Sequence, residues 1–319
     1  MSIKKLSMPA KWLVYKMKMI NVITNPDRLY IETTNDCNLK CVMCPKGRGI
    51  MERKTGYMEF GLFTQIIDEM KNRVKTVVLH IWGEPLLHNE LFKMIDYCAK
   101  HNLRTEISTN ATLLSEPFID EILKSKLSAI YLCLDGIKKE TYEKVRVGSD
   151  FHETERNIQR FIDEKVLRGQ GRPYTNLQVI EMKATEEEIS DFKRKWSIAG
   201  VDNINVKAFD SWGGQVDEIS ELGDNAEAKE KRYHCPNLWY HAHIYHDGTL
   251  VCCDRDYDAK YPLGNVKDGV MKVWNGEKMQ ELRRKHIEDD LKDVPSCNEC
   301  KEWCWWKPSL FSSRGNSPY

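Results

Sequence analysis

The chain has no charge excess of either sign: its 319 residues carry 48 Lys and Arg against 48 Asp and Glu. A protein that tracks a nucleic-acid backbone needs a basic face, and a balanced composition gives no electrostatic case for one. No apolar run reaches the ~18 residues needed to cross a bilayer. The first residues lack the basic flank, apolar stretch and small-residue cleavage site of a secretory signal, so a cytoplasmic protein is expected. There is no internal repeat and no low-complexity tract, which leaves a globular fold with length enough for one large domain and one small one.

Cysteine, by contrast, is plentiful, with eleven residues. Without a secretory signal, that number argues for metal ligation in a reducing compartment rather than for disulfides. Cys37, Cys41 and Cys44 are spaced C-x3-C-x2-C in CNLKCVMC and directly follow a short apolar strand candidate, Leu29–Thr34. Thiolates suit zinc or iron–sulfur clusters, and a [4Fe–4S] cube needs one ligand for each iron. Three cysteines leave one iron open to chemistry. A second group lies far downstream: Cys235, then Cys252 and Cys253 in HDGTLVCCD, then Cys297, Cys300 and Cys304 in SCNECKEWCWW.

Between the two groups the pattern alternates. Helical spacing over Gly61–Asn72, Asn89–His101, Glu116–Ser125, Glu153–Arg168 and Glu186–Gly200 is interleaved with strand-like Thr76–Trp82, Arg104–Asn110, Ala129–Gly136, Leu177–Lys183 and Asn203–Phe209. With Leu29–Thr34 this makes six βα units, which predicts an α/β fold: a partial (β/α)6 parallel barrel, open on one side, with its chemistry at the C-terminal strand ends. The expected organisation is an amphipathic extension over 1–28, the barrel over 29–210, a polar linker over 211–234 and a small cysteine-rich domain over 235–319. Within the extension, Met8–Ile23 interleaves Lys11, Lys16 and Lys18 with Trp12, Leu13, Val14, Met17 and Met19. It reads as a helix docked on the body, with weak contact to a membrane surface as the alternative.

The triad and three strand-end motifs in order, WGEPLL (Trp82–Leu87), ISTNATLL (Ile107–Leu114) and YLCLDG (Tyr131–Gly136), resemble the radical S-adenosylmethionine (SAM) enzymes. The resemblance implies that Cys37, Cys41 and Cys44 hold a [4Fe–4S] cluster whose open iron chelates SAM. Reduction then releases a 5′-deoxyadenosyl radical. It further implies that Met43 packs on the adenine, where an aromatic is common, and that Gly83, Glu84 and Pro85 form the turn receiving the SAM ammonium. Trp82 replaces the first glycine of that turn. Ser108 and Asn110 are candidates for the ribose or carboxylate, and Arg146 for a clamp on the carboxylate, an exposed arginine being the plain alternative. Where the family has serine this chain has Cys133, which shares a strand face with Asp135, and both are candidate catalytic residues. Cys133 is therefore read as a radical-quenching thiol or as a small buried cysteine filling a serine-sized gap.

The C-terminal cysteines are similar to the auxiliary-cluster domains called SPASM or, when shortened, twitch. Cys235, Gly248 and Cys253 match the opening pattern. With Cys297 and Cys300 they imply one fully ligated auxiliary [4Fe–4S] cluster, and a zinc site is the alternative. Cys252 and Cys304 are left over as replacement ligands or hydrogen donors. The four nearby histidines, His234, His241, His243 and His246, are expected on the hairpin surface, with substrate or metal binding by one of them as the alternative. The implied function is hydrogen abstraction from a small sugar, aminocyclitol or aminoglycoside-like substrate, leading to dehydrogenation or epimerisation, with a flavodoxin or ferredoxin-type electron donor. Radical modification of a ribosomal peptide or a lipid is the alternative. The triad begins too early for a preceding peptide-recognition domain, which favours the small substrate.

Overall fold

The computed structural model describes residues 8–224, 231–305 and 307–309. Parts of three expected regions, the first seven residues, 225–230 of the linker and 310–319 of the tail, lie outside the described residues. Six strands, β1 Arg28–Ile31, β2 Thr76–Val78, β3 Arg104–Thr109, β4 Ala129–Cys133, β5 Tyr174–Glu181 and β6 Asn203–Ala208, lie side by side in chain order and all parallel. Helices Phe60–Met70, Leu91–Lys100, Glu116–Lys124, Phe151–Leu167 and Ile189–Trp196 connect them. This is the expected open (β/α)6 arrangement.

The period of two along each strand separates core from lumen. On β5, Leu177 and Val179 are buried in the main hydrophobic core. Their neighbour Gln178 lines an internal cavity. On β4, Ile130 and Leu132 belong to the core while Tyr131 and Cys133 line the cavity. The helices meet the outer face: Leu62, Phe63, Ile66, Ile67 and Met70, at helical spacing, bury one side of the first helix. The outer face is thus apolar, and the polar strand residues gather in the lumen beside apolar ones such as Val78 and Ile180.

The C-terminal region does not hang from the barrel by a linker alone. Strand β7, His241–Ile244, pairs in parallel with β1, with Arg28 opposite His241 and Ile31 opposite Ile244. A turn at Gly248 returns the chain as β8, Thr249–Val251, antiparallel to β7, followed by β9, Gly264–Asn265. The sheet therefore runs unbroken through nine strands. His243 stacks on Tyr30 with ring centroids 4.6 Å apart, and Ala242, Ile244 and Leu250 enter the same core as the barrel strands. The buried Arg283 guanidinium donates to the carbonyls of Leu238 and Ile20 at 2.9 and 3.0 Å, fastening the N-terminal segment to this edge.

Several local readings change. Glu186–Gly200 divides into a short 3-10 turn, Glu186–Glu188, and the helix Ile189–Trp196. The Glu188 carboxylate accepts from Ile137 N at 2.7 Å and Thr141 Oγ1 at 2.6 Å, so it caps the unforeseen helix Lys139–Val145 rather than its own. In the docked helix Met8–Lys16, Lys11 is buried against Asp27 at 3.2 Å and Tyr15 packs on Trp239, while Leu13 and Met17 remain exposed. Among the described residues no helix is long and apolar enough to cross a membrane.

Candidate active site and thiol groups

The loop after β1 is folded back on itself by its own polar residues. Asn35 Nδ2 donates to Lys54 O at 3.0 Å and its Oδ1 accepts from Gly56 N at 2.9 Å. Lys40 N and Val42 N donate to Val147 O and Val145 O at 2.8 and 3.0 Å. Gly47 is obligatory: a Cβ there would stand 2.5 Å from Cys41 O. The result places Cys37, Cys41 and Cys44 together on the wall of a cavity of about 250 Å³ at the C-terminal end of the barrel. Burial pushes the Cys37 thiol up to about 12 and Cys44 to about 11. It raises Cys41 too, with the Arg146 guanidinium opposing.

The strand-end motifs converge on the same cavity, which Met43, Gly83, Glu84, Ser108, Asn110 and Arg146 also line. Gly83 has φ +77°, and a Cβ on it would come within 2.5 Å of the carbonyls of Thr34 and Asp36, so only glycine lets this turn press against the cysteine loop. Pro85 starts the 3-10 turn Pro85–Leu87 and is buried behind the cavity wall. Glu84 is buried and accepts from Asn110 N at 2.8 Å and Leu86 N at 3.1 Å, which binds two strand ends into one unit. Desolvation raises its carboxyl to about 7, against those hydrogen bonds.

Arg146 is not an exposed arginine. Its Nε and Nη2 grip Asp135 Oδ2 at 2.7 and 2.6 Å, and Nη1 stands 3.8 Å from Cys41 Sγ. Asp135, expected beside the reaction, instead spends both oxygens on Arg146 and Ile180 N (2.7 Å) and lies behind the wall. Cys133 does line the cavity, with Sγ 3.2 Å from Ser108 Oγ and 3.3 Å from Gln178 Nε2.

The stretch read as a linker supplies part of the wall. Trp212 Nε1 donates to Met43 O at 2.7 Å, and the indole packs on Trp82 at 4.7 Å between centroids. The tryptophan that replaced glycine in the GEP turn thus has a partner, and the pair covers the triad side of the chamber. Reading the polar, Gly-bearing surroundings of Trp212 as a linker hid it. Lumen residues Arg28, Tyr30, His80, Glu106, Lys207 and Asp254 were also missed, although for Arg28, Tyr30 and Glu106 polar residues at alternate positions of buried strands were a legible signal.

Behind the wall, the second thiol group gathers. Cys235, Cys253, Cys297 and Cys300 lie within electrostatic reach of one another, and all four thiols are raised: Cys253 first by its contact with Cys252 and then by desolvation, Cys297 by desolvation against its hydrogen bond with Cys252, and Cys235 and Cys300 by desolvation. Cys252 lies against Cys253 and Cys297, with Ser296 Oγ 3.6 Å from its sulfur, and does not line the cavity. Cys304, on the 3-10 turn Glu302–Trp305, does not line it either. Glu302 accepts from Cys300 Sγ at 3.1 Å and from Ser211 N at 3.1 Å. The histidines are not on the hairpin surface: His234 packs on Tyr15, His243 on Tyr30, and His246 Nδ1 meets the buried Glu32 at 2.8 Å. Packing of the hairpin onto β1 covers His243, the helix Met8–Lys16 covers His234, and His241 and His246 are half-buried.

Residues 31–179 match the family model described as the radical SAM superfamily, and residues 235–301 match the SPASM iron–sulfur cluster-binding domain. The chain belongs to the radical SAM superfamily and carries a C-terminal SPASM region. Among curated relatives, the tungsten-containing aldehyde ferredoxin oxidoreductase cofactor-modifying protein from Pyrococcus furiosus is 27% identical over 184 residues, 56% of this chain and 50% of that protein. The chain thus spans about half the length of the curated relatives it matches. Streptococcus suis SuiB bound to S-adenosylmethionine superposes with a TM-score of 0.67 at 16% identity, over 96% of this chain and 78% of that one. BtrN in complex with AdoMet and 2-DOIA gives 0.59 at 15% identity, over 93% and 98%. These likenesses show the fold.

The residues present fit the groups that the family carries. Among the described residues no three metal-ligating side chains converge tightly enough to share a single ion, so the fit is judged on the donor chemistry. Three soft sulfurs share one cavity wall, and burial disfavours their thiolate forms unless a strong positive charge stands beside them. An iron cluster would provide that charge, and the Glu84 carboxyl and Arg146 guanidinium line the same cavity. In the SPASM region a clustered donor set of thiols supports metal binding, with more sulfurs than four irons require.

Proposed function

We propose that this radical SAM enzyme acts on a small polar molecule of the sugar, aminocyclitol or aminoglycoside type, oxidising a carbinol or inverting a carbon centre. In this reading Cys235, Cys253, Cys297 and Cys300 hold a single auxiliary [4Fe–4S] cluster, and a flavodoxin or ferredoxin-type protein delivers the electron. The observation that carries the reading is the inside of the barrel. Beyond the triad, the chamber carries charged and hydrogen-bonding side chains, among them Tyr30, Glu106, Tyr131, Gln178 and Lys207, beside apolar ones such as Val78, Ile81 and Ile180. Such a lining suits a compact, hydroxyl-rich ligand rather than an acyl chain.

When bound, the reduced cluster and SAM supply a radical able to take hydrogen from an unactivated C–H bond. The chain's own residues do the rest. Glu84 and Arg146 orient the polar ends of SAM, Asp135 keeps Arg146 in place, and the Trp82–Trp212 pair excludes water from the triad side. Epimerisation is favoured by one observation: Cys133 presents a thiol to the chamber, held by Ser108 and Gln178, whereas Cys252 and Cys304 do not reach it.

The test is formation of 5′-deoxyadenosine by the anaerobically reconstituted enzyme with amino sugars, aminocyclitols and ribosomal precursor peptides. Stimulation by the sugars or cyclitols, followed in D2O, is expected. Deuterium at carbon in an isomer of unchanged constitution marks epimerisation, and a product two hydrogens lighter marks dehydrogenation. Stimulation by peptides alone contradicts the proposal.

A further inference from the structure

The chain as a whole balances 48 basic against 48 acidic residues, but the loop that carries the triad does not. Between Asp36 and Met58 it holds five basic residues, Lys40, Lys46, Arg48, Arg53 and Lys54, against two acidic ones, Asp36 and Glu52. Arg53 is spent on the buried Glu32. Among the described residues the other four cations have no carboxylate partner: Lys46 Nζ meets Thr55 Oγ1 at 2.8 Å and Arg48 Nη1 meets Val42 O at 3.4 Å. Lys40, Arg48 and Lys54 are exposed.

Hydrogen bonds stitch these cations into one patch. Lys40 N donates to Val147 O at 2.8 Å and Val42 N to Val145 O at 3.0 Å, which ties the loop to the end of the helix Lys139–Val145. Arg48 reaches back to Val42, and Lys46 reaches Thr55, the neighbour of Lys54. Among them Ile50 and Val147 are 37% and 40% exposed, so the patch also leaves apolar side chains in water. At the tip, a Cβ on Gly49 would meet nothing within 4 Å, and the turn stands clear of the body. Its inner side belongs to the triad: Cys44 and Gly47 line the chamber, and Gly47 presses on the Cys41 backbone. One short turn thus carries cations and an apolar side chain outward and a triad cysteine inward.

We infer that this turn and its rim, Lys40, Arg48, Ile50, Lys54 and Val147, form the docking face for an acidic one-electron carrier protein. Complementary charge steers such a partner to the patch, and exposed apolar side chains give the contact its dry centre. Docking there sets the carrier against the triad loop. One electron leaves the carrier, which is oxidised, and reduces the cluster held by Cys37, Cys41 and Cys44, with no atom or proton transferred. A nucleic acid fits less well, since four cations around one turn of a neutral chain make no extended basic track. A bilayer surface asks for a larger apolar face than Ile50 and Val147 supply. The inference rests on the reading of a flavodoxin or ferredoxin-type donor above and adds where that donor binds.

The experiment is isothermal titration of the reconstituted holoenzyme, with SAM, against two acidic carriers, a flavodoxin and a plant-type ferredoxin. Binding of at least one is expected, weakening at least tenfold between about 10 mM and about 150 mM salt. Arg48→Glu combined with Lys54→Glu should weaken it at least tenfold at the lower salt. The control pair Lys75→Glu with Lys126→Glu makes the same charge change at exposed positions preceding β2 and β4, at the other end of the barrel, and should alter it less than twofold. Wild-type iron content and wild-type 5′-deoxyadenosine formation driven by dithionite, which needs no docking, certify each variant. If the first pair loses iron, Lys40→Gln with Arg48→Gln takes its place, with a threefold loss expected. Affinity unchanged in the certified variant, or lowered equally by the control pair, overturns the docking face. So does failure of both carriers to bind, or tighter binding of oligouridylate or phosphatidylglycerol vesicles than of either carrier. Carriers that bind but drive no 5′-deoxyadenosine formation in wild type overturn the donor reading, and the docking face with it. The small-substrate reading is judged apart from all of these, by dithionite-driven stimulation without a carrier.

Discussion

Cys37, Cys41 and Cys44 occupy one short loop and face a cavity, whereas Cys235, Cys253, Cys297 and Cys300 come from three separated segments, Cys253 and Cys297 buried and Cys235 and Cys300 half-buried, and none of them lines that cavity. The first group is short of sulfur and rich in neighbours suited to a second ligand: Glu84, Asn110 and Arg146. The second has thiols to spare, Cys252 among them, and its polar neighbours, Glu302 and Ser211, turn toward one another. An incomplete donor set at a cavity is built to bind and transform something. A surplus set in the core is built to hold. Yet the two are not independent, because one buried ion pair reaches across both. Arg53, just past the triad, grips Glu32 with two hydrogen bonds of 2.9 and 2.6 Å, donates to Tyr257 O at 2.6 Å and stacks over Tyr245 at 3.7 Å. Glu32 in turn accepts from His246 N at 3.1 Å, so the SPASM hairpin and the triad loop share one anchor.

The comparison predicts unequal consequences. Replacing any one of Cys37, Cys41 or Cys44 with Ala should abolish 5′-deoxyadenosine formation, measured by chromatography. Gly83→Ala should be nearly as severe: the new methyl meets two carbonyls and the φ is strained, so SAM affinity should fall at least a hundredfold in equilibrium dialysis. Cys300→Ala should act differently, lowering iron and substrate turnover while SAM cleavage persists. If it silenced SAM cleavage as completely as the triad variants, the division of labour drawn above would be wrong.

Smaller effects test the shared anchor. Glu32→Gln leaves Arg53 without its buried counter-charge and should cost about 3 kcal/mol, read from the urea unfolding midpoint. Arg53 and His246 hold the Glu32 carboxyl below its usual range. Its stabilising contribution is therefore fully present above the ordinary glutamate pKa and is lost as pH falls through the depressed native value. The difference in melting temperature between wild type and Glu32→Gln should accordingly shrink on acidification from neutral pH. Trp212→Ala should have the mildest effect, a few-fold rise in SAM cleavage without substrate, as water gains entry to the triad side of the chamber.

Much of the barrel and of the triad's cavity lining was legible because each chemical motif falls where a strand ends, and strand ends are local features. Cys37, Gly83, Ser108 and Cys133 could be placed in one site from order alone. The pairing of β7 with β1 could not, since it joins segments on opposite sides of the whole barrel and leaves no local signature. Trp212 was lost for a related reason: a single anchoring aromatic inside polar, glycine-bearing sequence looks like a linker until its indole finds Met43 O. Asp135 was placed on the correct strand face for contact with Arg146, but the period of two does not tell whether a carboxylate reaches the lumen or is consumed by a neighbouring arginine. His80, Lys207 and Asp254 needed the tertiary structure to bring a strand end, a strand and a SPASM loop to one place.

The most direct test of the two-group account is iron and sulfide per chain after anaerobic reconstitution, for wild type and for the variant with Cys37, Cys41 and Cys44 all changed to Ala. The account predicts about eight irons falling to about four, one [4Fe–4S] cluster in each group. About four irons falling to none, with zinc retained in both proteins, would contradict it and leave the SPASM thiols as a structural zinc site.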